Sequence, residues 1–152
     1  MKIVQGNLFN LAKDLDIICV TTNGVVKSDR TLVMGAGIAL EFNKRFVGLT
    51  AKLGTLVKEH GNKVHLAGMW NDKSSNKSYL VYSFPTKERW KEKSSLALIE
   101  KSCKELAELT KDLSCNIYVP APGCSNGGLT LKQVQPILEK YFSDDKFIIT
   151  YL

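Results

Sequence analysis

Two glycine-bearing stretches lie far apart in the chain, Val33-Met34-Gly35-Ala36-Gly37-Ile38-Ala39-Leu40-Glu41-Phe42 and Pro120-Ala121-Pro122-Gly123-Cys124-Ser125-Asn126-Gly127-Gly128-Leu129, and both carry residue types suited to holding phosphate. Each leads into a segment with helical apolar spacing. The first N–H groups of a helix lack intrahelical partners and sit at the positive end of its dipole, and glycine lets a ligand approach the backbone. A phosphate suits such a place. Taken alone, Gly-Ala-Gly before a helix reads equally well as a tight turn. Two such loops point further, because N–H groups donating from opposite sides can clasp a diphosphate, and that asks for a dinucleotide-like ligand.

Rival chemistries fit less well. Gly35-x-Gly37-x-x-Leu40 lacks the third small residue of a Rossmann fingerprint, and no acidic residue closes a strand about 20 positions later. No Gly-Lys-Ser/Thr triplet of a Walker loop occurs. Cys19, Cys103, Cys115 and Cys124 form no CxxC pair, and His60 and His65 supply no metal-ligand spacing, so reduced thiols and no bound metal are expected. Cys124 is a conceivable nucleophile, but no histidine is placed by sequence to activate it, and small-residue packing is the better reading. His60 reads as a solvated helix cap, and His65 as a strand residue facing water or a satisfied core partner. Lys87 to Lys93, with Trp90 among the charges, reads either as solvated surface or as a stacking-and-phosphate surface for single-stranded nucleic acid. The net charge of +6 and pI near 9.1 favour polyanionic partners, although 21 basic against 15 acidic residues is also common in proteins that bind none.

The elements that position these loops follow from periodicity. At 152 residues the chain suits one domain, residues 1–152, with a core of its own. Lys2 to Gln5 and Asp16 to Thr21 read as strands, the second a continuous apolar run of the kind a doubly covered strand shows. Ile38, Phe42 and Phe46 recur every four residues on a helix from about Gly37 to Arg45, and a second helix runs through Leu53 and Val57 to a stop at Gly61. Lys63 to Trp70 and Ser78 to Phe84 read as antiparallel neighbours joined by a polar loop over 71–77. A helix spans about Ser94 to Thr110, and Asn116 to Val119 and Lys146 to Tyr151 return as strands. Thr130 and Gln133 have capping-box spacing; Pro136 predicts a short capped turn before a main helix that starts at the proline. Strands alternating with helices imply α/β architecture, a mixed, mostly parallel sheet with helices on both faces. Ligands bind such sheets at the carboxyl ends of strands, where Asn7, Asn23, both glycine loops and Lys87 all fall. No apolar stretch has the length of a membrane span and Met1 to Asn10 has no signal-peptide pattern, so a soluble, intracellular (cytoplasmic) protein is expected.

Four stretches in this order resemble the macrodomain family: Gln5-Gly6-Asn7-Leu8-Phe9; Met34 to Phe42; Phe84-Pro85-Thr86-Lys87 with Arg89-Trp90; and Pro122 to Leu129. The match spans nearly the whole chain. It is nearest to the DNA ADP-ribosyl glycohydrolases of the DarG antitoxin type, with the terminal ADP-ribose protein glycohydrolase as a cousin. The resemblance implies a three-layer α/β/α fold with a six-stranded sheet that binds ADP-ribose as ligand or product, with no cofactor. The ADP-ribose contacts it implies are Asn7, Leu8, Asn23, Gly35, Ala36, Gly37, Ile38, Ala39, Thr86, Gly123, Cys124, Ser125, Asn126, Gly127, Gly128, Leu129 and Tyr151. The pyrophosphate then lies between the glycine loops and the distal ribose near Asn23 and Lys87. Lys87 takes the catalytic role, its neutral amine attacking the anomeric carbon of that ribose or the opened aldehyde, where an arbitrary loop lysine would only seek phosphate or solvent; the neutral form is a minor species of an ordinary lysine at neutral pH. Arg89, Trp90 and Lys91 are the implied contacts to a DNA strand, with Trp90 either stacking on a base or anchoring its loop in the core.

Three departures from the family pattern stand out. Asn7 occupies a place where many macrodomains have an aspartate that accepts from the adenine amino group; an asparagine carbonyl accepts too, without charge. Gly127 stands where the protein-directed cousin has an acid. Lys27-Ser28-Asp29-Arg30 lengthens the first loop after Asn23. The expected activity is hydrolysis of the ADP-ribosyl linkage on a macromolecule, foremost ADP-ribosylated DNA, by a monomer. The alternatives are a non-catalytic ADP-ribose reader, a protein mono-ADP-ribosyl glycohydrolase and an ADP-ribose 1''-phosphate phosphatase.

Overall fold

The computed structural model describes residues 1–152. Its strands are β1 (Lys2–Gln5), β2 (Ile17–Thr22), β3 (Leu66–Asp72), β4 (Lys77–Pro85), β5 (Ile117–Pro120) and β6 (Phe147–Tyr151). Its helices are α1 (Leu8–Leu11), α2 (Gly37–Arg45), α3 (Leu49–His60), α4 (Leu96–Leu109) and α5 (Leu131–Tyr141). The six strands form one sheet in the order β1-β6-β5-β2-β4-β3, parallel throughout except for the β3–β4 hairpin.

Side chains alternate across a strand, and here both faces are covered. From β2, Ile18 and Val20 enter a core with Phe9, Phe42, Phe46, Leu49 and Leu53 of the first three helices, while Ile17 and Cys19 enter a second core with Ile99, Cys103, Leu106, Val134 and Leu138 of α4 and α5. That double burial is why β2 reads as an unbroken apolar run. Full burial of each large side chain contributes roughly 1.5 to 3 kcal/mol. Phe42 and Phe46 are both fully buried in an aromatic cluster with Phe9, their ring centroids 4.9 to 6.2 Å apart, and so fix α2 over the sheet. On α3, Gly54 is required by close approach, since a Cβ there would run into the Arg30 carbonyl. The 25–32 segment lies directly on that helix, with the Leu32 N–H donating to the Thr50 carbonyl at 2.9 Å.

Caps set the helix starts. Asn7 accepts from Phe9 N–H at 2.9 Å, Ser95 from Leu98 N–H at 3.2 Å, and Thr130 with Gln133 forms the expected capping box. Two expectations need correction. The polar loop over 71–77 is shorter, because β3 runs on to Asp72 and β4 starts at Lys77; the Asp72 carbonyl accepts from Ser75 and Asn76 N–H groups and Asn76 takes a left-handed φ of 56°. Pro136 does not start a helix but sits inside α5. Both Pro136 and Lys132, whose carbonyl would have received the missing N–H, lie on the exposed face, where water can satisfy that carbonyl.

The parallel strands bring the chain after β1, β2, β4, β5 and β6 to one edge of the sheet. No helix is long and apolar enough to cross a membrane.

Candidate functional site

At that edge the loops enclose a cleft of about 1020 Å³. Of the residues expected to contact ligand, Asn7, Leu8, Asn23, Gly35, Ala36, Gly37, Ile38, Ala39, Thr86, Gly123, Cys124, Ser125, Asn126, Gly127 and Tyr151 line it, and so does Lys87. Gly128 and Leu129 do not. Leu129 turns inward to pack in the core beneath α4 and α5, and Gly128 lies exposed beside the Lys93 side chain. The loop therefore faces the cleft only as far as Gly127.

The two glycine loops are built differently. In the first, Gly35 is exposed, and a Cβ placed on it would meet nothing within 4 Å. Asn23, at the end of β2, holds this loop: its Nδ2 donates to the Val33 carbonyl and its Oδ1 accepts from Val25 N–H, both at 2.9 Å. In the second loop Gly123 has φ +74°, and its Cβ would come within 2.9 Å of both Leu129 and Ser94. A Cβ on Gly127 would collide with Ser94 Oγ and stand 2.7 Å from the Gly123 backbone. Ser94 N–H donates to the Gly127 carbonyl at 2.9 Å, and the Ser94 hydroxyl is buried without a partner. An acid at position 127 is thus excluded by packing. The loops meet where Asn126 Nδ2 stands 2.8 Å from the place a Cβ on Gly37 would take.

At the opposite end from Lys87, Asn7 spends one amide-oxygen lone pair on capping α1. Glu41 lines the same cleft and was not singled out from sequence, although its place four residues after Gly37 puts it on the same helix face. Its Oε1 accepts from Arg45 Nε at 3.3 Å and Nη2 at 3.1 Å. Arg45 in turn donates to buried Asp72 at 2.7 Å and stacks 4.1 Å over Phe9, so the guanidinium that holds the Glu41 carboxylate is itself fixed. Burial pushes Asp72 up, but hydrogen bonds from Ser74 and Arg45 outweigh it and hold the carboxyl below its usual range. Tyr151, 41% exposed, closes this end together with Leu152.

Lys87 is half-buried, with Nζ 3.4 Å from the Trp90 carbonyl. Its loop is pinned at Thr86, whose N–H donates to Thr22 and whose carbonyl accepts from Ser95 N–H. Trp90 is 51% exposed and lines the cleft mouth, so it is not a core anchor; Lys91 Nζ lies 5.0 Å from its ring centroid. Arg89 and Lys91 stand outside the cleft on the adjoining surface, with Arg89 3.7 Å from Glu92. All four cysteines are free, and burial pushes the Cys124 thiol up. His65 is buried, its Nε2 2.8 Å from the Gly61 carbonyl, as a satisfied core residue. No three His, Cys, Asp or Glu side chains stand where they could hold a metal ion.

A cleft of this size admits a nucleotide-sized ligand. One wall offers N–H groups at the start of α2, the other the backbone of the second loop, with a single amine at one end. No protein-family model matches the chain. It is 26% identical over 129 residues to a DNA ADP-ribosyl glycohydrolase of Mycobacterium tuberculosis, a match covering 84% of this chain and 37% of the length of that relative. Among solved structures it is similar to the macrodomain of Mycobacterium tuberculosis DarG, with 26% identity, a TM-score of 0.74 and coverage of 99% and 97% of the two chains. Thermosipho africanus DarTG in complex with ADP-ribose gives a TM-score of 0.75 at 22% identity, over 99% of this chain and 42% of that one.

Proposed function

We propose that this chain, a macrodomain of the DarG type, binds ADP-ribose in its cleft and hydrolyses the bond joining ADP-ribose to DNA. The observation that carries the reading is the placement of Lys87 in the same cleft as both glycine loops. The pyrophosphate would lie between the start of α2 and the second loop, accepting from backbone N–H groups on both sides. Adenine would occupy the end lined by Asn7, Ile38, Glu41 and Tyr151, and the distal ribose the end lined by Asn23, Thr86 and Lys87.

In this reading the neutral Lys87 amine attacks the anomeric carbon of the distal ribose. The bond to the DNA breaks with its electron pair leaving on the DNA base, which takes a proton from water. Water then adds to the lysine-bound carbon, releasing ADP-ribose and restoring the amine. Half-exposed Trp90 at the mouth offers a face for base stacking, worth roughly 1 to 3 kcal/mol, and Arg89 and Lys91 offer charge to phosphates. A protein-directed mechanism that uses an acid in the second loop has no such group here, because Gly127 is packed against Ser94.

Incubation with ADP-ribosylated DNA, ADP-ribosylated protein and ADP-ribose 1''-phosphate in parallel tests the assignment. Release from DNA is expected to be fastest. Lys87→Ala should remove turnover by orders of magnitude while ADP-ribose affinity stays within about tenfold, or 1.4 kcal/mol. Equal turnover in mutant and wild type rejects the catalytic role. Binding without release from any of the three substrates makes the protein a reader. Faster release from protein reassigns the substrate.

A further inference from the structure

The Lys87 loop is held from below by a residue that does not line the cleft. Asn62 sits in the turn between α3 and β3, and its Nδ2 donates both to the backbone carbonyl of Lys87 itself, at 3.2 Å, and to Glu88 Oε2, at 3.0 Å. The Glu88 carbonyl accepts from Gly24 N–H at 2.8 Å, which closes a three-way junction of the chain after β2, the end of α3 and the Lys87 loop. Space at this junction is limited. A Cβ on Gly24 would stand 2.9 Å from both the amide carbon and Nδ2 of Asn62, so only glycine leaves room for that side chain. The Asn62 turn is itself braced, since its neighbour Gly61 receives the His65 ring nitrogen at 2.8 Å through its carbonyl.

We infer that Asn62 is a positioning residue for Lys87, fixing the backbone from which the reactive amine projects. The inference rests on the reading of Lys87 as the attacking group. Lys87 has a long side chain and its Nζ has only one contact, at 3.4 Å, so its reach into the cleft depends on where its main chain is held. Thr86 is fixed on one side by β2 and Ser95, and on the other Asn62 holds the Lys87 carbonyl while the Gly24 N–H holds that of Glu88. Misplacement of a reacting group by about 1 Å can cost roughly a hundredfold in rate.

Asn62→Asp keeps the side-chain volume but removes both donated bonds and sets a carboxylate against Glu88. Gly24→Ala attacks the same junction from the other side. Release of ADP-ribose from ADP-ribosylated DNA is measured for wild type, Asn62→Asp, Gly24→Ala, Lys87→Ala and Asn62→Asp/Lys87→Ala, with ADP-ribose affinity and melting temperature for each. The expected result is a fall in kcat of about tenfold to a hundredfold for Asn62→Asp and Gly24→Ala. Affinity for ADP-ribose should stay within about threefold, because neither residue lines the binding groove near the glycine loops. The double variant should be no slower than Lys87→Ala, as two changes acting through one group are not additive. A kcat for Asn62→Asp within threefold of wild type overturns the inference, and so does a loss of affinity or folding in proportion to the loss of rate. Inactive wild type, or an active Lys87→Ala, overturns instead the reading on which it rests.

Discussion

The two glycine loops share a sequence style and differ in what their glycines do. Gly35 has open space where a Cβ would be, so its missing side chain serves the cleft. Gly123 has Leu129, Ser94 and Ile99 there, and Gly127 has Ser94 and the Gly123 backbone, so their missing side chains serve the packing of the protein against itself. Ligand room in the second loop is a by-product of a fold requirement. In the first it is separable from folding. A glycine motif read from sequence therefore leaves undetermined whether a substitution will break binding or break the protein, and the surroundings decide it.

Gly35→Val is the sharpest separation of the two roles. Its backbone is not in the left-handed region and nothing opposes a side chain, so the variant should fold with stability within about 0.5 kcal/mol of wild type. It should nevertheless lose ADP-ribose affinity by a hundredfold or more, about 2.7 kcal/mol, because the isopropyl group fills the cleft beside the start of α2. Calorimetric titration checks the affinity. A thermal scan with ligand at a hundredfold excess over the wild-type dissociation constant should shift only the wild type, by the equivalent of about 2.7 kcal/mol. Undiminished binding would mean that the ligand does not pass along the first loop.

Gly127→Ala should behave in the opposite way. The added methyl collides with the Ser94 hydroxyl and stands 2.7 Å from the Gly123 backbone, and overpacking of this kind costs roughly 1 to 3 kcal/mol. Chemical denaturation should show that loss without ligand present. Combining the change with Ser94→Gly should recover part of it, and a full cost in the double variant would place the clash on the Gly123 backbone alone. Gly37→Ala lies between these cases. Its φ of +57° is unfavourable for alanine by roughly 1 to 2 kcal/mol, and its Cβ would press on Asn126 from the second loop, so stability and affinity should fall together.

Much of this arrangement was legible in the chain before its fold was known, for reasons that particular residues make plain. Ile18 and Val20 on one face of β2 and Ile17 and Cys19 on the other leave an apolar run that only a doubly covered strand requires. Phe42 and Phe46 mark the buried face of α2, and Thr130 with Gln133 marks the start of α5. These signals are local. Asn62, Ser94 and Glu41 escaped notice because their roles depend on partners distant in sequence: the Lys87 carbonyl, Gly127, and an Arg45 anchored by Asp72. The loop's inward turn after Gly127, which takes Leu129 into the core, has no sequence mark. At Pro136 the rule against interior proline loses force, because the residue lies on a helix face open to water.

Cys124 offers the gentlest probe of how closely the second loop is packed. It lines the cleft but is only half-exposed, its Sγ 3.4 Å from the Pro122 carbonyl, and burial pushes its thiol above the ordinary range. Alkylation proceeds through the thiolate, so the raised value means that the reactive form is scarce at neutral pH and grows only as pH climbs past the usual thiol range. Cys19 and Cys103 are buried, leaving Cys115 as the other accessible thiol, and a Cys115→Ser background isolates the signal. In that background, iodoacetamide labelling should be slow at pH 7.5, and its rise with pH should come later than that of a free cysteine in the same assay. Saturating ADP-ribose should slow it further, because the ligand covers the loop. Fast labelling at pH 7.5 that ligand does not affect would show the loop opening freely, and the contrast with the first loop would then be one of average geometry alone.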